Sequence, residues 1–163
     1  MLPLLLNFDE VNFLQSNSAN LSHLCEKIME NMMINHWAVL ACAVFNMLLG
    51  ALWYSPALFY RAWKEENGLT DEDIQKASPL KIYGISFLLA YLMSYNLAFF
   101  LGDAGTDWQW GTAAGFLAGF GWAAAIFTSI ALFEQRSWRY IFINGAYIVI
   151  YFTAIGFILG IWR

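Results

Sequence analysis

Eight polar, uncharged side chains stand inside long apolar runs of this chain: Asn46, Ser86, Ser94, Asn96, Thr128, Ser129, Asn144 and Tyr147. An amide offers two donors and an acceptor, and a hydroxyl offers one donor and two lone pairs. In hydrocarbon such groups must bond to something. Two kinds of chemistry follow. The groups can bond to one another and fasten helices together, at an average of about 0.6 kcal/mol per bond. They can instead contact a ligand or a neutral solute. Asn46, Asn144, Tyr147, Ser94 and Asn96 make up the candidate polar site, with Asn46 and Asn144 its most informative pair. No Asp, Glu, Lys, Arg or His lies within the core of these runs, which argues against a proton relay or an ion-coupled pump.

Other chemistries find less support. His23, Cys25, His36 and Cys42 are the whole supply of imidazole and thiol groups. His23 and Cys25 do not share a helix face, and Cys42 lies at least a turn deeper than His36, whereas structural zinc takes four close ligands. Neither a metal nor a cofactor is expected. Ser55 and Ser129 have no histidine nearby in sequence to act as the base a nucleophile requires. No catalytic residue is therefore assigned, and the chain reads as a non-enzyme. Asp71, Glu72 and Asp73 read as helix capping, and Asp103 and Asp107 as a solvated turn. No glycine-rich phosphate loop precedes a Lys-Ser or Lys-Thr pair.

The elements that must position these groups follow from composition. The 163 residues are 60% hydrophobic and 12% charged. A soluble domain is about 45–50% apolar and about 25% charged, so this chain cannot coat a water-facing surface. A net charge of -4 leaves no basic footprint for nucleic acid. Two cysteines make no disulfide framework. Membrane lipid is the expected partner.

Charged residues cluster, and four uncharged runs lie between them: 37–60, 82–101, 112–132 and 140–162. About 20 helical residues cross a ~30 Å hydrocarbon core. The runs predict four spans at about 37–55, 82–101, 112–132 and 140–162. Trp37, Trp53, Tyr54, Trp63, Trp108, Trp110, Trp138 and Trp162 fall near run ends, where such aromatic rings favour the headgroup level, and of the tryptophans only Trp122 lies deep in a run. Arg61, Lys64, Lys76 and Lys81 in the first loop, with Arg136 and Arg139 in the third, place six of the eight basic residues on one side. The positive-inside rule makes that side cytoplasmic, so both termini are expected outside it.

Residues 1–32 read as a separate extension. Leu21, Leu24, Cys25, Ile28, Met29 and Met32 recur at helical spacing, with Asn20 as a candidate cap. Two readings stand open: a helix lying in the outer interface, or a translation start at Met29, Met32 or Met33. Pro56 interrupts the first run, since proline ends or kinks a helix and suits the first position of a new one. Ser55 as cap and the apolar and charged alternation after it predict an amphipathic surface helix over 56–66, ended by Asn67-Gly68. Thr70 and Asp73 have capping-box spacing.

Small residues recur every fourth position, and residues four apart share a helix face. Gly111, Gly115, Gly119 and Ala123 form one ladder; Ser86, Ala90, Ser94, Ala98 and Gly102 a second; Ala38, Cys42, Asn46 and Gly50 a third. Between transmembrane helices, close backbone approach substitutes for a hydrophobic drive. The ladders predict close packing, either within one chain or, for the third span, between chains of a homo-oligomer. Ser55-Pro-Ala-Leu-Phe59 also matches Ser129-Ile-Ala-Leu-Phe133, a hint that helix pairs are duplicated.

At Ile34-Asn35-His36-Trp37, at Gly50-Ala51-Leu52-Trp53-Tyr54-Ser55-Pro56, and at Phe59 and Trp63, the chain resembles the small bacterial membrane proteins grouped as domain of unknown function 1761. Asn67–Thr70 and Asn144-Gly145-Ala146-Tyr147 add to the likeness, which covers about 33–163. The resemblance implies a four-helix protein of the bacterial inner membrane and no assigned activity. The reading is an all-α, four-helix transmembrane bundle with short amphipathic cytoplasmic helices. It is expected to be a packing or interaction protein, the alternative being a channel or transporter for a small neutral or apolar solute.

Overall fold

The structure, a computed structural model, describes residues 34–103 and 105–162 together with 17 and 20–22. Of the helix expected over residues 21–32, only Leu21 and Ser22 fall among these; the rest lies outside the described residues, as does Arg163. Six helices follow in order: α1 (His36–Trp53), α2 (Tyr60–Asn67), α3 (Asp71–Lys76), α4 (Pro79–Phe100), α5 (Trp108–Phe133) and α6 (Trp138–Ile161). The described residues contain no strand. Helices α1, α4, α5 and α6 have 18 to 26 residues and mean hydropathies of 1.4 to 2.0. At about 1.5 Å per residue each is long enough to cross a bilayer core.

Polar residues set the helix starts. Asn35 accepts from the Trp37 and Ala38 amides at 3.0 and 3.2 Å. Asp107 accepts from Trp110 N at 2.8 Å, which starts α5 four residues before the expected span. Ser137 accepts from Tyr140 N at 3.1 Å and starts α6. Pro79 takes the first position of α4. The capping box of α3 forms, with Asp73 N donating to Thr70 Oγ1 at 3.2 Å and Thr70 N to Asp73 Oδ2 at 3.0 Å. The Thr70 hydroxyl also holds the Asp73 carboxyl below its ordinary pKa.

Two expectations need correction. The surface helix starts at Tyr60, not Pro56. The Ser55 hydroxyl donates back to the Leu52 carbonyl at 2.7 Å, so it closes α1 and does not cap α2. Residues 55–59 form turns, tied by Leu58 N and Tyr60 N to the Ser55 carbonyl. The segment matched to these residues, Ser129 to Phe133, is regular α-helix, so the two copies of the short motif have different backbones. Second, the ladder of α5 does not run on to Ala123. Residues Ala118–Ala124 form a π-helix. A π-turn holds one more residue than an α-turn. The inward position therefore moves from Ala123, which is half-buried, to Ala124, which is buried, and then to Ala131.

In this arrangement α1 and α6 are central, α4 lies against α1, and α5 lies along α6. The shares of buried residues agree: 33% for α6 and 28% for α1, against 22% for α4 and 17% for α5. The core gathers Ala38, Val39, Cys42 and Ala43 of α1, Ala90, Leu97 and Ala98 of α4, Ala114 of α5, and Tyr151, Ile155 and Leu159 of α6. Most of these side chains are small, which lets the backbones approach and gain dispersion contact. The first half of α4 is different, for no residue between 79 and 89 is buried. Large apolar side chains such as Leu48, Leu88, Phe120 and Trp122 are 61–69% exposed. An apolar surface of that extent would aggregate in water but is matched by acyl chains in a bilayer.

The α5–α6 contact is the tightest. A Cβ placed on Gly111 would overlap the Gly156 carbonyl oxygen, and one on Gly115 would overlap that of Phe152. A Cβ on Gly156 would meet the Gly111 carbonyl, and one on Gly160 would stand 2.7 Å from the Asp107 oxygen. The glycine ladder of the third span is thus seated on α6 of its own chain.

Candidate functional site

Asn144, Tyr147 and Tyr151 stand three and four residues apart, so they share one face of α6. That face meets α4, α1 and Tyr54 just after it, and each side chain finds a polar partner there. Tyr54 Oη donates to Asn144 Oδ1 at 2.8 Å, and Asn144 Nδ2 donates to the Tyr140 carbonyl at 2.9 Å. Tyr147 Oη donates to Asn46 Oδ1 at 2.6 Å. Tyr151 Oη bonds the Ala90 carbonyl at 3.1 Å and Ser94 Oγ at 3.2 Å. A phenol has one proton, so Tyr151 donates to the carbonyl and accepts from Ser94. Trp53 Nε1 adds a bond to the Ile143 carbonyl at 3.1 Å. The result is a polar seam running from the α2 end of the bundle to its interior.

The sequence-predicted site residues divide as follows. Asn46, Ser94, Asn144 and Tyr147 all lie on the seam. Asn46 and Asn144 do not pair with each other; each takes a tyrosine hydroxyl instead. Asn96 is exposed and lies two positions from Ser94, which puts it on another side of α4. Ser86 is half-buried in the loosely packed half of α4, and Ala90 is fully buried. Gly50 leaves room for Tyr147, whose hydroxyl would stand 3.4 Å from a Cβ there. Sequence reasoning missed Tyr54 and Tyr151. The spacing of Tyr151 from Tyr147 was a usable signal, whereas Tyr54 read only as an interfacial aromatic.

Aromatic rings close the seam at its α2 end. Trp53 packs on Phe59 at 4.8 Å, Tyr54 on Trp63 at 5.6 Å and Tyr54 on Tyr147 at 5.6 Å between ring centroids. Helix α2 is held over the start of α6 by Arg139, which reaches Glu65 at 3.0 Å and Glu66 at 3.8 Å, and by the Ser137 hydroxyl on Glu66. At the other end of the bundle His36 Nδ1 and Tyr95 Oη are 3.1 Å apart with stacked rings, joining α1 to α4. Among the described residues, no three His, Cys, Asp or Glu side chains are grouped as a metal site, and no buried side-chain nitrogen or oxygen lacks a hydrogen-bond partner.

The motif residues behind the family resemblance meet at this cluster: Trp53, Tyr54, Phe59, Trp63, Asn144 and Tyr147. Residues 37–160 match the family model described as "Protein of unknown function (DUF1761)". The chain belongs to the DUF1761 family. The matched stretch of this DUF1761 protein contains α2 to α5 complete and all but the ends of α1 and α6. No curated protein and no solved structure matches the chain.

Proposed function

We propose that this DUF1761 protein is a non-catalytic packing or interaction protein of the bacterial inner membrane. One observation carries the reading. The polar groups of the seam bond to one another and to backbone carbonyls, and each of their buried side-chain nitrogen and oxygen atoms has a hydrogen-bond partner. Polar groups bonded across helices fix which helix faces meet, a structural role. In the oligomer we envisage, α5 contacts a second chain through the face away from its glycines, which carries the stacked rings of Phe116 and Phe120. These two residues are 45% and 61% exposed.

The alternative, a path for a small neutral solute, makes a different prediction in vesicles. Proteoliposomes holding the full chain should take up glycerol or urea no faster than protein-free vesicles, as followed by stopped-flow light scattering. A protein-dependent uptake that Asn46→Leu abolishes would replace the packing reading with the transport one.

Orientation in this reading follows the basic residues, with α2, α3 and the α5–α6 turn in the cytoplasm. A reporter active only in the cytoplasm should be silent when fused after Arg163. It should be active when inserted after Gly68, the left-handed residue that ends α2 with φ 62°. The reverse pattern would invert the topology.

A further inference from the structure

Helix α5 is two α-helical segments joined by the π-helix Ala118–Ala124. The segment has no proline but carries two glycines, Gly119 and Gly121, which loosen a helix. What the segment achieves is a change of face. With it, Ala124, Phe127 and Ala131 turn toward α6, being 8% exposed, half-buried and 1% exposed respectively. One residue fewer per turn would bring Ala123, Ile126 and Ile130 to the same places. The two isoleucines are now 62% and 54% exposed on the lipid side.

The sequence suits both registers. Ala123, Ala124 and Ala125 supply a small residue at the crossing in either one. A Cβ on Gly121 would meet nothing within 4 Å, and Trp122 is 69% exposed, so neither residue anchors the π-turn. Two forces oppose each other. The π register seats alanine close against α6, at the expense of poorer backbone hydrogen bonds. The α register regains the i→i−4 bonds but puts isoleucine where alanine fits.

We propose that α5 is a two-register helix. Conversion of Ala118–Ala124 to α-helix turns the Ala125–Phe133 segment by about 100° and moves it away from α6 by a side chain's width. The Phe127–Tyr140 ring contact at 5.9 Å and the Arg136 guanidinium 5.2 Å over the Tyr140 ring then part. Tyr140 is the residue whose carbonyl holds the Asn144 amide, so the movement reaches the polar seam.

The test uses the full chain in membranes, with Cys25 and Cys42 replaced by serine and alanine. In that background Ala131→Cys reports the register: its thiol is buried in the π register and open in the α register. Phe133→Cys, at a position 90% exposed, controls for access of the reagent. Ala131→Cys should react with N-ethylmaleimide slowly but measurably. Removing Gly121 deletes the extra residue, makes α5 continuous and keeps both present faces on α6. The rate should then fall by about tenfold, as expected when a minor state is removed. Equal rates in the two backgrounds, or no reaction in either while Phe133→Cys reacts, would overturn the proposal. Should the deletion prevent accumulation, Ile130→Ala relieves the crowding of the α register and must raise the Ala131→Cys rate; an unchanged rate overturns the proposal equally.

Discussion

Gly156→Ala is expected to destabilise this protein more than any other single methyl addition. The new Cβ would overlap the Gly111 carbonyl oxygen and stand 2.9 Å from Gly115 Cα. Both are backbone atoms, so no rotamer change relieves the clash, and α5 and α6 must separate along the whole ladder. Overpacking of this kind costs about 1–3 kcal/mol. The gain from replacing glycine by alanine in a helix is about 0.5–1 kcal/mol, so the clash wins. Gly115→Ala, which meets the Phe152 carbonyl, should behave alike. Gly84→Ala, Gly121→Ala and Gly145→Ala meet nothing within 4 Å and should be neutral or slightly stabilising. Unfolding by sodium dodecyl sulfate in mixed micelles checks all five. Because the contact lies within one chain, the Gly156→Ala variant should unfold earlier without any change in the mass of its folded species. A Gly156→Ala variant as stable as the parent, or a Gly121→Ala variant equally damaged, would mean that the two helices are not in backbone contact.

That ladder shows how far the sequence could be read. Four apolar runs bounded by charge gave four spans, because bilayer thickness imposes a length that composition reveals directly. Glycines every fourth residue gave the close contact, since spacing alone puts them on one face. Spacing did not show that Gly156 and Gly160 were the facing surface. They lie in a helix that is apolar all round, where a periodic pattern has little contrast. Nor did it show the shift from Ala123 to Ala124, because a run of three alanines looks the same in an α- or a π-turn. Helix starts moved outward by up to four residues, as at Trp108, because capping by Asp107 extends a helix beyond its apolar portion. The site was half legible. Asn46 and Asn144 stood out as amides in hydrocarbon, but their partners are tyrosines about one hundred residues away in sequence. A tyrosine near a membrane surface has an ordinary reason to be there, so Tyr54 carried no signal of its own.

The seam itself is tested by removing one hydroxyl. Tyr147→Phe keeps the ring and its stacking but leaves Asn46 Oδ1, at a residue 6% exposed, without its donor. A buried group deprived of its partner costs about 1–3 kcal/mol. Asn46→Leu orphans the Tyr147 hydroxyl instead, inside the membrane span of α6, and should destabilise in the same direction. The double variant Asn46→Leu/Tyr147→Phe removes both groups together. If the bond fastens α1 to α6, the double variant should be more stable than the sum of the single losses implies, by about 0.6 kcal/mol or more. Asn96→Leu, on an exposed position of α4, should change nothing. These outcomes separate a fastening role from solute recognition. A clamp loses stability in both single variants and recovers part of it in the double. A solute contact would leave stability almost unchanged while the polar groups were removed one by one. Strict additivity across Asn46 and Tyr147, with little loss from either, would remove the main support for reading the seam as structure.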